Sequence, residues 1–323
     1  MPKSVFDSRA LRNEKAAYAY VEAKIWPTGR VCPHCGVVDR SGELKGKSTR
    51  IGVYKCYACR KPFTVKVGTI FEDSHVPMHL WLQAIVMMCA SKKGISSNQL
   101  HRVLGVTLRT AWHMSHRIRL AMDESGSGPL GGGGETVEVD ETFWGQQGSI
   151  FINGKGWQQK RGWGDKMKVV TLVERKGRAR SIKVDDLNAA TVRGVVLDNA
   201  DTKSALMTDE ARYYRNIGKR FASHDSVNHS ADEYVRTEDG RKITTNTVEG
   251  FFSIFKRGMV GIYQHCDERH LRRYLAEFDF RYSNRAALGV NDTDRAAQAV
   301  IGAVGKRLTY RTTRSKTAKA PSA

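Results

Sequence analysis

VEVDETFWG, residues 137–145, decides how the second half of the chain is read. Valines alternate with carboxylates, the period-two pattern of a half-buried strand, so Glu138 and Asp140 share one face and Glu141 lies on the other. A solvated edge strand is the plain explanation for acids in that pattern. The competing explanation is that Asp140 meets acidic partners brought in from elsewhere. Around this stretch the sequence alternates between elements. Strands are expected near 136–144, 167–174, 178–185, 203–208 and 221–227, and helices over 188–198, 209–218, 246–257 and 267–284. The fold class is therefore α/β, a mixed sheet with flanking helices.

Two later stretches supply the partners. SALMTDEARYY (204–214) places Asp209 at the end of a short apolar strand where a helix is expected to begin, so capping alone would justify it. TTNTVEGFFSIFKRG (244–258) reads as a helix with Val248, Phe251, Phe252 and Phe255 on one stripe. Asn246, Glu249, Ser253 and Lys256 lie on another, and Glu249 and Lys256, two turns apart, project the same way. The polar stripe is narrow and flanked by bulky apolar residues, the pattern of a cleft. Carboxylates that converge repel one another without a cation, and hard Mg²⁺ prefers oxygen ligands. Two such ions about 3.5–4 Å apart can activate an attacking oxygen and stabilise a leaving one at phosphorus. Asp140 is read as a ligand of that kind, acting on a phosphodiester.

Before the mixed domain, DESGSGPLGGGGE (123–135) reads as a flexible linker. Before that, ISSNQLHRVLGVTLRTAWHMSHRIRLAM (95–122) gives two helices separated by Gly105. Ser96 or Ser97 can cap the first, which turns Leu100, Val103 and Leu104 inward. Thr107 can cap the second, which buries Leu108, Ala111, Trp112, Ser115 and Ile118. Its other side offers Arg109, Thr110, His113, His116 and Arg117 to DNA, as in a helix-turn-helix whose second helix enters the major groove. Earlier still, Cys32, Cys35, Cys56 and Cys59 have the spacing C-x2-C-x20-C-x2-C. Two tight turns each aim two thiolates at one ion, the arrangement of a zinc ribbon with structural Zn²⁺. Cys89 and Cys266 are isolated on helical patterns and read as buried apolar residues.

Composition agrees with a polyanionic partner. Lys and Arg number 53 against 33 Asp and Glu, a formal net charge of +20. The excess is partly in a polar, basic C-terminal stretch, GKRLTYRTTRSKTAKAPSA, but bases also crowd 45–66 and 109–119. No apolar run is long enough for a membrane span, and the N-terminus lacks a secretory pattern, so a soluble, cytoplasmic, nucleoid-associated protein with no membrane partner is expected.

The combination CPHCG…YKCYAC…FTVKVGTIFEDS, VEVDETFWG, VNHSADEYVR and NTVEGFFSIFKRG…YQHCDERHLRRYLAEFDFRYSNR resembles the zinc-ribbon DDE transposases of bacterial insertion sequences, over residues 15–285 or so. The resemblance implies a ribonuclease-H-like catalytic fold, with Mg²⁺- or Mn²⁺-dependent cleavage at element ends and strand transfer by the freed 3′-hydroxyl. By position it makes Asp140, Asp209 and Glu249 the acidic triad, holding two Mg²⁺ or Mn²⁺ ions, with Lys256 contacting DNA. Some relatives carry Asn where the Glu is expected, which leaves Asn246 as an alternative third ligand. His229 would flank the site outside the triad. The organisation expected is an N-terminal helix and zinc ribbon (1–75), a helix-turn-helix region (76–122), the linker (123–135), the catalytic domain (136–290) and a basic tail (291–323). The partners would be double-stranded DNA, at terminal repeats and target, and further copies of the chain, since two ends must be held at once. A non-catalytic DNA-binding regulator and a nuclease without joining activity share these modules.

Overall fold

A computed structural model describes residues 4–309, apart from 125, 147, 160, 161 and 163. Helix α1 (Glu14–Ile25) starts at Asn13, whose side chain accepts a hydrogen bond from the Ala16 amide, and it buries Ala17 and Val21. The ribbon follows as three short antiparallel strands, β1 (Ser41–Glu43), β2 (Tyr54–Cys56) and β3 (Pro62–Phe63). Helix α2 (Met78–Ala90) is apolar on nearly every side and becomes the spine of the N-terminal core. The next two helices, α3 (Ser97–Leu104) and α4 (Leu108–Ala121), form the expected pair. Ser96 and Thr107 cap them, accepting from Gln99 and Thr110 at 3.1 Å, and Gly105 ends α3 at φ 67°, a left-handed conformation open to glycine at little cost.

The second half begins with β4 (Thr136–Trp144), a hairpin of β5 (Ser149–Ile152) and β6 (Gly156–Gln159), then β7 (Met167–Glu174) and β8 (Ala179–Val184). Helix α5 (Ala189–Asn199) leads to β9 (Ala205–Thr208), and the one-turn α6 (Tyr214–Gly218) leads to β10 (Ser223–Ser226). A small hairpin of β11 (Arg236–Glu238) and β12 (Arg241–Ile243) precedes α7 (Asn246–Gly258), a π-helical turn (Met259–Tyr263), α8 (Glu268–Ser283) and α9 (Asp292–Ile301). The central sheet has the order β10-β9-β4-β7-β8; β4, β7 and β8 are antiparallel, while β9 and β10 run parallel to β4. This is the ribonuclease-H-like arrangement. Both faces are covered: Val137, Val139, Val170 and Leu172 pack towards α5 and α6, and Val169 and Val173 towards α7 and α8. Double burial explains why β7 reads as a continuous apolar run.

Three expectations change. The stretch 123–135 is not a free linker, because its second half is laced to the sheet. Leu130 is buried and pairs with Ala200, the Gly131 amide donates to Glu174, the Gly132 amide donates to Ser204, and Arg178 and Arg180 donate to carbonyls of Pro129, Ser127 and Gly128. Residues 292–301, placed in a basic tail, form α9, which sinks Ala296, Ala299 and Val300 into the same core as α1, α2 and α4. Small residues hid this helix from a reading that looked for bulky periodicity. The helix expected over 209–218 shrinks to α6, because Asp209 accepts from the Ala211 amide at 3.0 Å and holds a turn there. Among the described residues no helix is long and apolar enough to cross a membrane.

Candidate active site

Sheet register brings the first acids together. β4 and β9 run parallel with Glu138 opposite Met207, and continuing that register two steps sets Asp140 beside Asp209 just past the end of β9. Glu141 sits on the other face of β4, as alternation requires. Its carboxylate accepts from the Tyr213 hydroxyl at 2.9 Å and from the Tyr214 hydroxyl. Yet Asp140, Glu141 and Asp209 each offer an oxygen within 4.8 Å of the others. Opposite faces do not keep them apart, because β9 has ended at Thr208 and its ladder with β4 stops at Glu138, so among the described residues no strand flanks that edge of β4 at Asp140 and Glu141. Alternation therefore places Glu141 on the correct face but does not reveal that its carboxylate still reaches the other two acids. The adjacent Asp–Glu pair at the point where a neighbouring strand stops is the signal that could have revealed it.

Electrostatics mark this cluster as short of positive charge. Burial, then the charges of Glu141, Asp209 and Glu249, push the Asp140 carboxyl up to about 8. Burial also raises Glu141, against the lowering effect of its two tyrosine partners, and raises Asp209, with Glu210 adding to the effect. Carboxyls raised in this way are relieved by a nearby cation, which favours their charged form.

Glu249 stands one step out from the three. It lies in the first turn of α7, accepts from Thr245 Oγ1 at 3.0 Å and pairs with His229 Nε2 at 3.2 Å. Its charge still acts on Asp140. His229 is itself held, with its ring against Tyr234 and its backbone amide donating to Glu210. Asn246 is exposed at the start of α7, one turn before Glu249, and Lys256 is exposed two turns after it. The whole helix is anchored by Glu138. Its fully buried carboxylate accepts from the Thr247 and Val248 amides at 2.8 and 3.0 Å, from Thr247 Oγ1 at 2.8 Å and from Arg175 Nε at 2.8 Å. That is a helix N-terminus capped from another element. Two of the acids in VEVDET thus have different tasks: Glu138 fixes α7, and Asp140 joins the acid cluster.

In the ribbon, Cys32 Sγ and Cys59 Sγ are 3.7 Å apart, as are Cys35 Sγ and Cys56 Sγ, and all four sulfurs fall within 4.8 Å of one another. A disulfide needs about 2.05 Å, whereas sulfurs about 2.3 Å from a tetrahedral ion sit about 3.75 Å apart. The four thiols fit zinc and do not form bridges. His34 lies outside the set, its Nε2 3.2 Å from the Pro62 carbonyl.

The helix-turn-helix residues divide along α4. Arg109 is exposed, Thr110 belongs to the Thr107 cap and His113 is half-buried. His116 and Arg117, expected to face DNA, are buried. His116 packs against Trp112, His270 and Tyr274, and burial, with Arg119 and Arg273 nearby, lowers its proton affinity to about 2. Arg117 donates to the carbonyls of Ile70, Glu72 and Leu308. The cause is tertiary: the C-terminal half of α4 lies between the post-ribbon segment and α8, so its second face is an interior one. Conversely Val103 and Leu108, expected inside, are exposed beside the turn.

Comparison with known proteins follows the same division. The transposase zinc-ribbon domain family matches residues 12–62, and the ISXO2-like transposase domain family matches 129–283. A relative from Halobacterium salinarum (strain ATCC 700922 / JCM 11081 / NRC-1), described as an uncharacterized protein in transposable element ISH50, is 26% identical over 275 residues, covering 79% of this chain and 86% of the relative. Among solved structures, the Mos1 strand transfer complex aligns at 12% identity and a TM-score of 0.27, covering 71% of this chain and 78% of the other. The Mos1 transposase paired-end complex with left transposon end aligns at 12% identity and a TM-score of 0.20, covering 64% and 76%.

Proposed function

Since this chain belongs to the zinc-ribbon DDE transposases of insertion sequences, with an ISXO2-like transposase domain, we propose that its acid cluster cuts DNA at the ends of the element and joins the freed ends to new DNA. The observation that carries this reading is the convergence of Asp140, Glu141 and Asp209 within 4.8 Å where β9 stops beside β4, a crowding that pushes the Asp140 carboxyl up to about 8. Asp140 and Asp209 would hold Mg²⁺ or Mn²⁺ between them, with Glu249 completing the set from α7; Asn246 is the alternative third ligand. Bound there, a pair of such ions would polarise the scissile phosphate and lower the proton affinity of the attacking hydroxyl. The chain's own part is positional. Tyr213 and Tyr214 fix Glu141, Glu138 and Arg175 fix the start of α7, and Thr245 and His229 fix the Glu249 carboxylate. Lys256, on the same side of α7, would meet a DNA phosphate.

DNA is the partner that the net charge of +20 favours. The ribbon, folded around one structural zinc, and the free end of α4 with Arg109 and Thr110 would grip the terminal repeats, His113 lying at the margin. Two ends must be engaged together, which makes the working species an oligomer on DNA. The test is a strand-transfer assay on labelled element ends with Mg²⁺. Nicked or cut ends joined to target DNA are expected from the wild type, and neither cleavage nor joining from Asp140→Ala, Asp209→Ala or Glu249→Ala. Cleavage without joining would make the protein a nuclease, and normal transposition by all three variants would remove the catalytic assignment.

A further inference from the structure

Among the described residues the β5–β6 hairpin pairs with no other strand. It leaves the sheet between β4 and β7, and β4 ends three residues after Glu141 at the end of the sheet where Asp209 follows β9. The hairpin therefore rises from the acid end of the domain. Ile150, Phe151 and Ile152 are exposed, and Trp157 is 74% exposed. Phe151 and Trp157 pair directly across the two strands, so both rings stand on one face, 5.7 Å apart and edge-on. Neither strand contributes to any buried apolar cluster among the described residues. An isolated two-stranded hairpin is marginal in water, and large exposed aromatics on one mark a surface that something else covers.

Charge identifies the occupant. From Thr142 to Gly164 the sequence contains no acid, and exposed Lys155 sits in the turn between the strands. A second copy would bring its own net charge of +20 to the contact, whereas a nucleic acid would be attracted. Aromatic rings beside a basic chain are the elements of a base-stacking platform, and a two-stranded ribbon is narrow enough to enter a DNA groove.

We propose that the β5–β6 hairpin is a DNA-engaging ribbon on which Phe151 and Trp157 stack against unpaired bases beside the scissile phosphate, while Lys155 contacts the backbone. This rests on the reading of the acid cluster as a DNA-cleaving site and adds a surface that recognises the opened strand. The experiment compares full-length protein binding, by fluorescence anisotropy with Ca²⁺ in place of Mg²⁺, to a short duplex and to the same duplex with an unpaired end. The wild type is expected to prefer the unpaired end. Trp157→Ala should weaken that binding by about tenfold and leave duplex binding within about twofold; Phe151→Ala should act in the same direction, and Trp157→Phe should recover part of the loss. Because both side chains lie outside every core, zinc content and unfolding midpoint should not move. Retention of the preference by Trp157→Ala overturns the proposal. So does unchanged DNA binding accompanied by dissociation of DNA-free oligomers, which would make the hairpin a self-association surface. A wild type that binds neither DNA removes the transposase reading itself, an outcome distinct from loss of the preference alone.

Discussion

Glu138→Ala separates the anchoring of α7 from the chemistry of the cleft. Alternation puts Glu138 on the same face as Asp140, so a ligand role and an anchoring role make opposite predictions. Its carboxylate is fully buried and takes four hydrogen bonds, two from the first-turn amides of α7, one from Thr247 Oγ1 and one from Arg175. Arg175 also donates to the carbonyls of Lys242 and Thr244, so it stays partly satisfied when Glu138 goes. The amides and the hydroxyl do not. Each buried donor left without an acceptor costs about 1–3 kcal/mol, and breaking a buried ion pair costs about 3–5 kcal/mol in total. With some of that relieved by water reaching Arg175, the expected destabilisation is about 3–4 kcal/mol. A whole domain is stable by only about 5–15 kcal/mol. Glu138→Gln keeps the shape and one accepting oxygen but turns an NH2 towards the donors on the other, so it should recover only part of that cost. Urea unfolding followed by far-ultraviolet circular dichroism measures both. Glu138→Gln should keep Mg²⁺-dependent cleavage at a reduced rate. An unchanged unfolding midpoint for Glu138→Ala, together with complete loss of metal-dependent cleavage in Glu138→Gln, would falsify the anchoring role and make Glu138 a ligand.

The Asp140 carboxyl is raised in the folded protein to about 8, above its ordinary value, so metal-free native protein binds the extra proton and is relatively stabilised as pH falls from about 8 towards about 4. Asp140→Asn should flatten that dependence and raise the melting temperature of metal-free protein at pH 8–9 or so, and wild-type Mg²⁺ binding, by calorimetry, should weaken as pH falls below about 8. Purified protein should carry about one zinc per chain, and Cys32→Ser should lose it along with the ribbon's protection from proteolysis; soluble, DNA-binding protein free of zinc would contradict the ribbon assignment. Arg109→Ala should weaken DNA binding and reduce its salt dependence, whereas Arg117→Ala should lower stability by about 2–4 kcal/mol with little direct effect on affinity. Equal affinity losses in the two variants, at unchanged stability, would restore Arg117 to the DNA face.

Local pattern carried the sheet and the ribbon a long way. The five sheet strands and α5, α7 and α8 follow from apolar periodicity, and the thiolate spacing brings four sulfurs together, because in both cases the deciding geometry lies within a few residues. Asp140 was legible as an acid of the first strand and Asp209 as an acid at the end of a later one, while their adjacency depends on a register that pairs β4 with a strand about seventy residues later. What local pattern could not supply is which face of an element another element covers. His116 and Arg117 look like a basic recognition face until α8 and the segment around Ile70 close over them. α9 is invisible as a core helix because alanines fill the space that α2 leaves. Tyr213 and Tyr214 carry no periodic signal that would tie them to Glu141.

The same limit explains why a Gly-rich stretch looked like the boundary between two independent modules. At the centre of the junction Arg119 of α4 donates to Glu277 of α8 at 2.6 Å, Arg281 pairs with the same carboxylate, and Tyr263, from the π-helical turn that continues α7, donates to it at 2.6 Å. Burial opposes the charge on Glu277, but Arg281 and Arg119 outweigh it and hold the carboxyl below its usual range. Removing Glu277 would strand two arginines that are themselves almost fully buried, at a cost of about 3–5 kcal/mol. One carboxylate therefore joins α4 to α8 and, through Tyr263, to the π-helical turn that follows α7, the helix that carries Glu249. A shift of α4 must therefore either carry Glu277, and with it α8 and Tyr263, or leave Arg119 as an uncompensated buried charge. Residues 123–135 connect the two halves in sequence, but Glu277 connects them mechanically.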